Sequence, residues 1–443
     1  MKQNKVFLWS VVIALGGFLF GFDTAVISGA EQSIQKYWTL NAFEHGLTIS
    51  IALIGTVIGS LLGGIPSDKL GRKNTLYIIA VLYLVSSIGS AFSTNWYIFL
   101  AFRFAGGLGV GASSVTAPIY ISEIAPAERR GRLVALFQFN VVFGILLSYL
   151  SNYLIGQIGS EPWRLMLGIQ AIPSLLFLVL LKFIPESPRW LILQRGNTDL
   201  ARKILLMINP ATADATMVAI QQATTEEQAT TTKDPLFSAR HKTPVILAIL
   251  FAFFNQVSGI NAIIYYAPRI FEMTGLGTSS SLLSTAGIGL VNFIFTLIAM
   301  NFIDRIGRRT LMIIGSFGLI ATLGLVAYSF YSAHFNGWAV PVYLFIYIAF
   351  FAFSQGAVIW VFISEIFPTQ VRAKGQTLGS TTHWFMAALI AFSFPYLAEK
   401  AGGGNTFFFF TVMMIAQLFF VWRLMPETKG KSLEQIGHNL VMH

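Results

Sequence analysis

Long apolar runs recur along this chain, separated by short polar or charged segments. They cover residues 7–30, 46–66, 75–93, 96–122, 133–156 and 163–184, then 243–268, 281–303, 310–332, 340–364, 375–398 and 405–422. A helix crossing the hydrocarbon core of a bilayer needs about 20 apolar residues, and each run is close to that length or beyond it. None alternates with the period of a barrel strand, and all are too long for one. Helices are the remaining way to satisfy backbone hydrogen bonds in lipid. The pattern therefore predicts an all-α integral membrane protein with twelve transmembrane helices. The first run follows Met1-Lys2-Gln3-Asn4-Lys5. It is too long for the apolar part of a signal peptide, and no small-x-small cleavage site follows it, so it is expected to be a retained helix.

Composition sharpens this picture. The chain has 443 residues, 55% hydrophobic and 11% charged, with a mean hydropathy of +0.68. Soluble domains carry about 25% charged residues, so an ordinary cytosolic enzyme and a disordered chain are excluded. There is no cysteine, hence no disulfide framework, thiolate metal site or thiol nucleophile. The net charge of +10 is a matter of topology and implies no nucleic-acid partner. Lys69, Arg72, Lys73, Arg129, Arg130, Arg132, Arg305, Arg308, Arg309, Arg372 and Lys374 fall on one side if both termini are cytoplasmic. The opposite loops hold only Lys36, Arg164, Arg269 and Lys400. That asymmetry obeys the positive-inside rule and needs an even number of spans. The absence of cysteine and of any glycosylation sequon, together with short tails, points to a bacterial inner membrane as the location.

The chain also repeats itself. Asp-Lys-Leu-Gly-Arg-Lys at 68–73 returns as Asp-Arg-Ile-Gly-Arg-Arg at 304–309, Ser-Glu-Ile-Ala-Pro at 122–126 as Ser-Glu-Ile-Phe-Pro at 364–368, and Pro185-Glu186 as Pro426-Glu427. The offsets are 236, 242 and 241 residues. One common offset across three unrelated motifs predicts an N-terminal six-helix bundle (1–185), a linker with short cytoplasmic helices (186–241), a C-terminal six-helix bundle (242–425) and a cytoplasmic tail (426–443). Helix-forming runs in the linker are Asp199–Ile208 and Ala215–Ala223; residues 224–236 read equally as a loose connector. Parallel repeats of this kind place a substrate site at their interface, near the bilayer midplane.

Each half carries the same charged groups. Asp68 and Arg72 match Asp304 and Arg308; Glu123 with Arg130 seven residues on matches Glu365 with Arg372. Gly71 and Gly307 permit tight reversals, and arginine forks can pair bidentately with carboxylates. These groups can latch the halves together on the cytoplasmic face as a gate, or serve topology alone.

Together with Arg103-x-x-Gly-Gly-x-Gly-Val-Gly, Pro118-x-Tyr-x-x-Glu, Pro185-Glu-Ser-Pro-Arg and Asn255-Gln-Val-Ser-Gly-Ile-Asn261, these motifs resemble the sugar porter family of the major facilitator superfamily, over about residues 7 to 435. The resemblance implies two six-helix bundles that rock around a central sugar. A sugar needs neutral groups that both donate and accept, plus an aromatic plane. Polar side chains of that kind inside spans are Gln138, Asn255, Gln256, Asn261, Asn292, Trp360, His383 and Trp384. The resemblance puts all eight at the family's sugar site, with Gln138, Gln256, Asn261 and Trp384 as the core of the set. Gln256 and Asn261 sit about 140° apart on a regular helix, and a break at Ser258-Gly259 is what would let both face one place. Three departures from the family stand out: Asn255 where a glutamine is usual, His383 where an amide is usual, and no Gly-Pro pairs before Trp360 in the tenth span. Tyr265 and Tyr266 read as an outer gate or as an interfacial aromatic belt.

Asp23 lies deep in the first span and Arg103 inside the fourth. An ionisable group near the bilayer centre costs about 2.5–3.5 kcal/mol on insertion scales, so the two are expected to pair. A carboxylate beside an arginine stays ionised; with the arginine moved away, burial favours its protonated form. The pair can thus carry a proton, as the resemblance also implies for an aspartate at this position, or it can lock the bundle as a static ion pair. Glu186 can tune coupling or belong to the loop salt bridges. The expected activity is proton-coupled symport of a hexose or pentose by alternating access, with the proton as coupling ion and no cofactor or metal. The partners are the sugar and the bilayer, and the protein is expected to work as a monomer. A sugar uniporter is the alternative, and a non-transporting sugar sensor is disfavoured by the short tail. No hydrolase or metalloprotease motif appears, so no enzymatic activity is expected.

Overall fold

The computed structural model of the protein describes residues 3–126, 129–229, 235–333, 335, 337–368 and 371–429. Most of the Thr-rich patch at 230–235 and the tail from 430 onward lie outside the described residues. Among the described residues there is no strand. Eleven helices among the described residues are long and apolar enough to cross a membrane: Lys5–Tyr37, Ala42–Leu62, Arg72–Phe92, Trp96–Ile124, Arg130–Ile155, Pro162–Phe183, Ala239–Met273, Thr278–Ile306, Arg308–Ser332, Ala339–Glu365 and Gly402–Arg423. The remaining expected span, the eleventh in chain order, is Arg372–Lys400, 29 residues long. At 1.5 Å per residue it reaches about 43 Å, enough to cross. It is less apolar because Arg372, Lys374, Gln376, Thr377, Thr381, Thr382 and His383 crowd its first half.

The sequence repeat reappears in the packing. The third span packs against the fourth and sixth, and the ninth against the tenth and twelfth, the same pairs six helices on. Small residues bring helices close where that is needed. A Cβ at Gly21 of the first span would collide with the carbonyl of Val141 in the fifth, and one at Gly144 with the carbonyl of Phe18. Two backbones can approach that closely only across glycine.

Two spans are broken at the positions the site uses. The seventh consists of Lys242–Gln256 and Ile260–Met273, separated at Gly259, which has φ +85°. Only glycine adopts that conformation without strain, and an added Cβ would lie 2.6 Å from the Phe410 ring. The tenth consists of Ala339–Phe353 and Gln355–Glu365. Its hinge, which the missing Gly-Pro pairs put in question, is present without proline. Ser354 takes φ −115°, ψ −87°, and its hydroxyl donates back to the Phe350 carbonyl at 2.6 Å, a bond that bends helices.

Proline inside a span frees the carbonyl four residues earlier. Pro268 frees that of Ile264, and Pro395 frees that of Ala391. Tyrosines from neighbouring spans fill both vacancies: the Tyr149 hydroxyl donates to Ile264 O at 2.8 Å, and the Tyr266 hydroxyl to Ala391 O at 2.8 Å. A buried carbonyl left without a donor costs about 1–3 kcal/mol. Tyr149→Phe is therefore expected to lower thermal stability in detergent by about that amount, whereas a melting temperature equal to the parent's would show that another donor takes over.

Among its described residues the linker contains three α-helices, Pro188–Arg195, Thr198–Ile208 and Ala213–Ala229. The first of these escaped the sequence reading. It is made by Ser187 capping the Trp190 N–H at 3.2 Å, Pro188 in the first turn and Gly196 in the left-handed conformation at its end, as its signals should have suggested. The third runs through residue 229, so the loose-connector alternative fails for 224–229. Trp190, Leu191, Ile192, Ala201 and Ile204 form its small apolar core.

Contacts divide the chain into two units: Met1–Thr24, Ile54–Ile145 and Leu167–Lys233, and Ala25–Leu53, Leu146–Met166 and Asp234–His443. The covalent repeat and the packing units do not coincide. Residues 25–53 and 146–166 of the first half pack with the second half, at the end opposite the Asp-x-x-Gly-Arg loops.

Candidate functional site

In the first unit Asp23 meets Arg103, as their isolation in apolar spans predicts. Arg103 Nη1 donates to Asp23 Oδ1 at 2.9 Å and Nη2 to the Asp23 carbonyl at 3.3 Å. Each side chain is 2% exposed. Gly106 faces the pair, its missing Cβ leaving 3.5 Å to Asp23 Oδ1. Arg103 Nε is buried without a hydrogen-bond partner, as is the hydroxyl of Ser86. A guanidinium with unspent donors beside one carboxylate is a pair with room to rearrange. Gln138, on the fifth span, is half-buried and makes no hydrogen bond among the described residues.

In the second unit the amide and aromatic candidates converge. The break at Val257–Gly259 turns the seventh span so that Asn261 Nδ2 donates to Gln256 Oε1. The two side chains that a straight helix would separate thus touch. Gln256 Nε2 donates to Asn255 Oδ1 at 2.9 Å and faces the His383 ring nitrogens at 3.2 and 3.3 Å. A neutral imidazole accepts at whichever nitrogen carries no proton and donates at the other. His383 sits between two tryptophans, 4.9 Å from the Trp360 ring and 4.8 Å, edge-on at 87°, from that of Trp384. Gln256 is buried, while Trp360 is 37% exposed. Neutral donors and acceptors flanked by aromatic faces are what a hydroxyl-rich, C–H-faced ligand requires.

Three of the eight candidates stand apart: Gln138 belongs to the first unit, and Asn255 and Asn292 make contacts of their own. Asn255 Nδ2 reaches the Gln355 carbonyl at 3.4 Å, tying the seventh span to the hinge of the tenth. Asn292 is half-buried and accepts from Thr296, one turn along its own helix, at 3.5 Å. Tyr265 and Tyr266 are 3% and 0% exposed, so they are no interfacial belt. Tyr266 sits at the kink of Ile260–Met273, with φ −123°, ψ 15°, and stacks on Phe394 at 4.9 Å.

At the loop end the arginines find other carboxylates than the seven-residue spacing suggested. Arg72 forks onto Glu123 (Nε–Oε2 3.0 Å, Nη2–Oε1 3.0 Å) and also binds Asp68 at 3.0 Å. Arg308 forks onto Glu365 (3.2 and 2.8 Å) and binds Asp304 at 2.9 Å. Neither bracket uses Arg130 or Arg372. Arg130 is exposed, and Arg372 Nε donates to the Phe367 carbonyl at 3.3 Å. Each bracket joins helices of one half, so these pairs do not themselves latch half to half. The reason is the turn at Gly71 or Gly307 (φ +98° and +100°), which swings the arginine at the start of the next helix toward the preceding acidic group.

Glu186 and Glu427 cap those same helix starts. Glu186 Oε1 accepts from the backbone N–H of Arg72, Lys73 and Ser187 at 3.0, 3.1 and 2.8 Å; Glu427 accepts from those of Arg308 and Arg309, both at 3.0 Å. Burial raises the Glu186 carboxyl above its ordinary value of 4.5, against the lowering effect of these N–H groups. A carboxyl raised in the folded state binds its proton more tightly there than in the unfolded chain. Its contribution is therefore unfavourable above the raised value and disappears below the unfolded one. As pH falls from 7 towards 5, the melting temperature of the parent should rise relative to that of Glu186→Gln. A relative fall would mean that the N–H groups dominate.

The sequence reading missed one buried cluster: Glu31, His45 and Arg269. Glu31 lies just past the first apolar run and Arg269 just past the seventh, so both were assigned to loops, and His45 was only one scattered histidine. In the structure Arg269 Nε and Nη2 bind Glu31 Oε1 and Oε2 at 2.9 and 2.8 Å, and His45 Nε2 lies 2.7 Å from Oε2.

Comparison with known proteins adds to this geometry. The family profile described as "Sugar (and other) transporter" matches residues 9–440. The chain is 36% identical to the glucose transporter GlcP of Staphylococcus epidermidis, over 99% of this chain and 98% of that protein. It is 35% identical to the D-xylose-proton symporter of Escherichia coli K12, over 98% and 96%. Its structure resembles the inward-open conformation of the xylose transporter XylE from E. coli with a TM-score of 0.87 and 33% identity, over 98% of this chain and 99% of that one.

Proposed function

We propose, from the premise that this chain belongs to the sugar transporter family, that it carries a monosaccharide, hexose or pentose, together with a proton by alternating access. It is a multi-pass membrane transporter, not an enzyme. The observation that carries the coupling reading is the buried pair of Asp23 and Arg103. An uncoupled carrier has no use for two ionised groups at that depth, where each is costly. When Arg103 leaves, the stranded carboxylate takes a proton, and the proton then crosses with the conformational change.

Sugar recognition rests on Gln256, Asn261, His383, Trp360 and Trp384 of the second unit; Gln138 of the fifth span is a candidate from its sequence position alone. The relatives' names, a glucose transporter and a D-xylose-proton symporter, support both a hexose and a pentose as candidates. Asn255 and the Ser354 hinge serve the bending of the seventh and tenth spans, and Tyr265 and Tyr266 the closing of the outer end. The Arg72–Glu123 and Arg308–Glu365 brackets, with Asp68, Asp304, Arg130 and Arg372 around them, stiffen each half at the cytoplasmic gate. The distribution of basic residues supports cytoplasmic termini in a bacterial inner membrane. Monomers suffice, and neither a cofactor nor nucleic acid has a role.

The test is uptake of labelled xylose, arabinose and glucose into proteoliposomes, with and without an inward proton gradient. Accumulation above equilibrium only with the gradient supports symport. Equal uptake in both conditions would make the protein a uniporter.

A further inference from the structure

Glu31, His45 and Arg269 join three spans through one carboxylate, and the coupling reading leaves them without a task. Glu31 and His45 expose none of their side chains. Arg269 Nη2 also donates to Gln35 Oε1 and lies 3.4 Å from His45 Nε2. An ionised carboxylate only accepts, so the 2.7 Å contact places the imidazole proton on Nε2. His45 Nδ1 is buried and has no hydrogen-bond partner. A proton there would be an unsatisfied donor on a cation beside a guanidinium. The arrangement therefore suits a neutral imidazole, a carboxylate and a guanidinium, with no net charge.

One further proton upsets this balance. The Arg269 fork holds Glu31 as a carboxylate, so the proton goes to His45 Nδ1, where it makes a second buried cation next to Arg269. The cluster then gains a net positive charge in a dry site, where an unpaired charge is strongly disfavoured. The surroundings offer little relief. From the seventh span Tyr266 lies with its ring 6.0 Å from His45, and half-buried Glu272 faces Arg269. From the second span Glu44 is engaged with the Asn41 N–H at 3.0 Å. The eleventh span contributes Phe392 and Phe394, and Lys36 of the first is exposed.

We infer that Glu31, His45 and Arg269 form a second proton-binding site, a clasp that one added proton opens. Opening frees the Ile260–Met273 piece of the seventh span, already kinked at Tyr266, from the ends of the first and second spans. Glu31 is eight residues beyond Asp23, about 12 Å along the helix, so the site is separate from the Asp23–Arg103 pair. The inference takes from the proposed function only the orientation, with this end outward; it is independent of what Asp23 does. An acidic exterior would thereby favour outward opening before sugar and coupling proton bind.

The chain has no cysteine, so Lys36→Cys with Met273→Cys, both exposed, gives a clean spin-label pair on the first and seventh spans. Electron–electron distance measurements on the full chain at pH 8 and pH 5.5 should show a shift to longer separations in acid. His45→Gln, which can donate to Glu31 but does not titrate, should stay short at both values, and Glu31→Gln should be long at both. Gel filtration verifies that each variant is folded. No lengthening in the parent, the same lengthening in His45→Gln, or a short Glu31→Gln would each overturn the clasp. In an Asp23→Asn background the shift should persist. Its loss would assign the pH response to Asp23 and end the proposal, while its persistence alongside intact accumulation would instead end the Asp23 reading.

Discussion

Asp23→Asn is expected to abolish accumulation of sugar against its gradient and to leave counterflow exchange intact. Asparagine has nearly the same shape and still accepts a hydrogen bond from Arg103 Nη1, so the 2.9 Å contact can survive the change. What is lost is the charge. An unpaired guanidinium then remains in a site that is 2% exposed, and no group there alternates between ionised and protonated forms. Each proton carried down a gradient of one pH unit supplies about 1.4 kcal/mol, a factor of about ten in accumulation. The variant should lose that whole factor while its exchange rate stays within a few-fold of the parent's. Direct coupling can be read in the same preparation: adding sugar to a weakly buffered suspension should alkalinise the medium for the parent and not for Asp23→Asn. Accumulation by the variant at parental levels would leave the pair a static lock.

Gln256→Ala should have the second largest effect, on affinity. Gln256 is the hub of the polar cluster, donating to Asn255 and His383 and accepting from Asn261. Truncation should remove the bonds proposed between Gln256 and the sugar, and it strands the Asn261 amide. The loss of one buried partner costs about 1–3 kcal/mol, so half-saturation for counterflow should rise about tenfold to a hundredfold. Part of the effect will be structural, because the cluster also holds the seventh span to the eleventh. Asn255→Ala separates the two contributions. It breaks the link to the Gln355 carbonyl, so it should lower melting temperature while leaving half-saturation near the parent's. If Gln256→Ala behaves in the same way as Asn255→Ala, Gln256 is interhelical glue and the sugar lies elsewhere.

The candidate site was legible in unequal parts. Asp23 and Arg103 could be paired from sequence because each is alone in an apolar run, and lipid leaves such groups no other partner. The convergence of Gln256 and Asn261 needed only the glycine between them, since a helix break there is the way to bring residues five apart onto one side. The partners of Arg72 and Arg308 were less accessible. Glu123 is 51 residues from Arg72 and Glu365 is 57 from Arg308, whereas the spacing argument looked only seven residues along the chain. The Glu31 cluster was invisible for a related reason. Hydropathy ends a span where a charge begins, yet the first helix continues to Tyr37, because Arg269 neutralises that charge and His45 hydrogen-bonds to it from other helices.

Local chemistry acts along the chain, so twelve apolar stretches, their repeat and the buried pair expected of Asp23 and Arg103 are all properties of the amino-acid order. Hydrogen bonds between spans depend on where helices bend and which faces they turn to each other, and the chain order carries little of that. Tyr149 and Tyr266 meet the carbonyls freed by Pro268 and Pro395, Glu186 caps a helix that begins 114 residues earlier at Arg72, and Glu31 holds three spans at once. Those partnerships were decided by tertiary packing, because buried polar groups in a medium without water must find each other wherever the fold brings them.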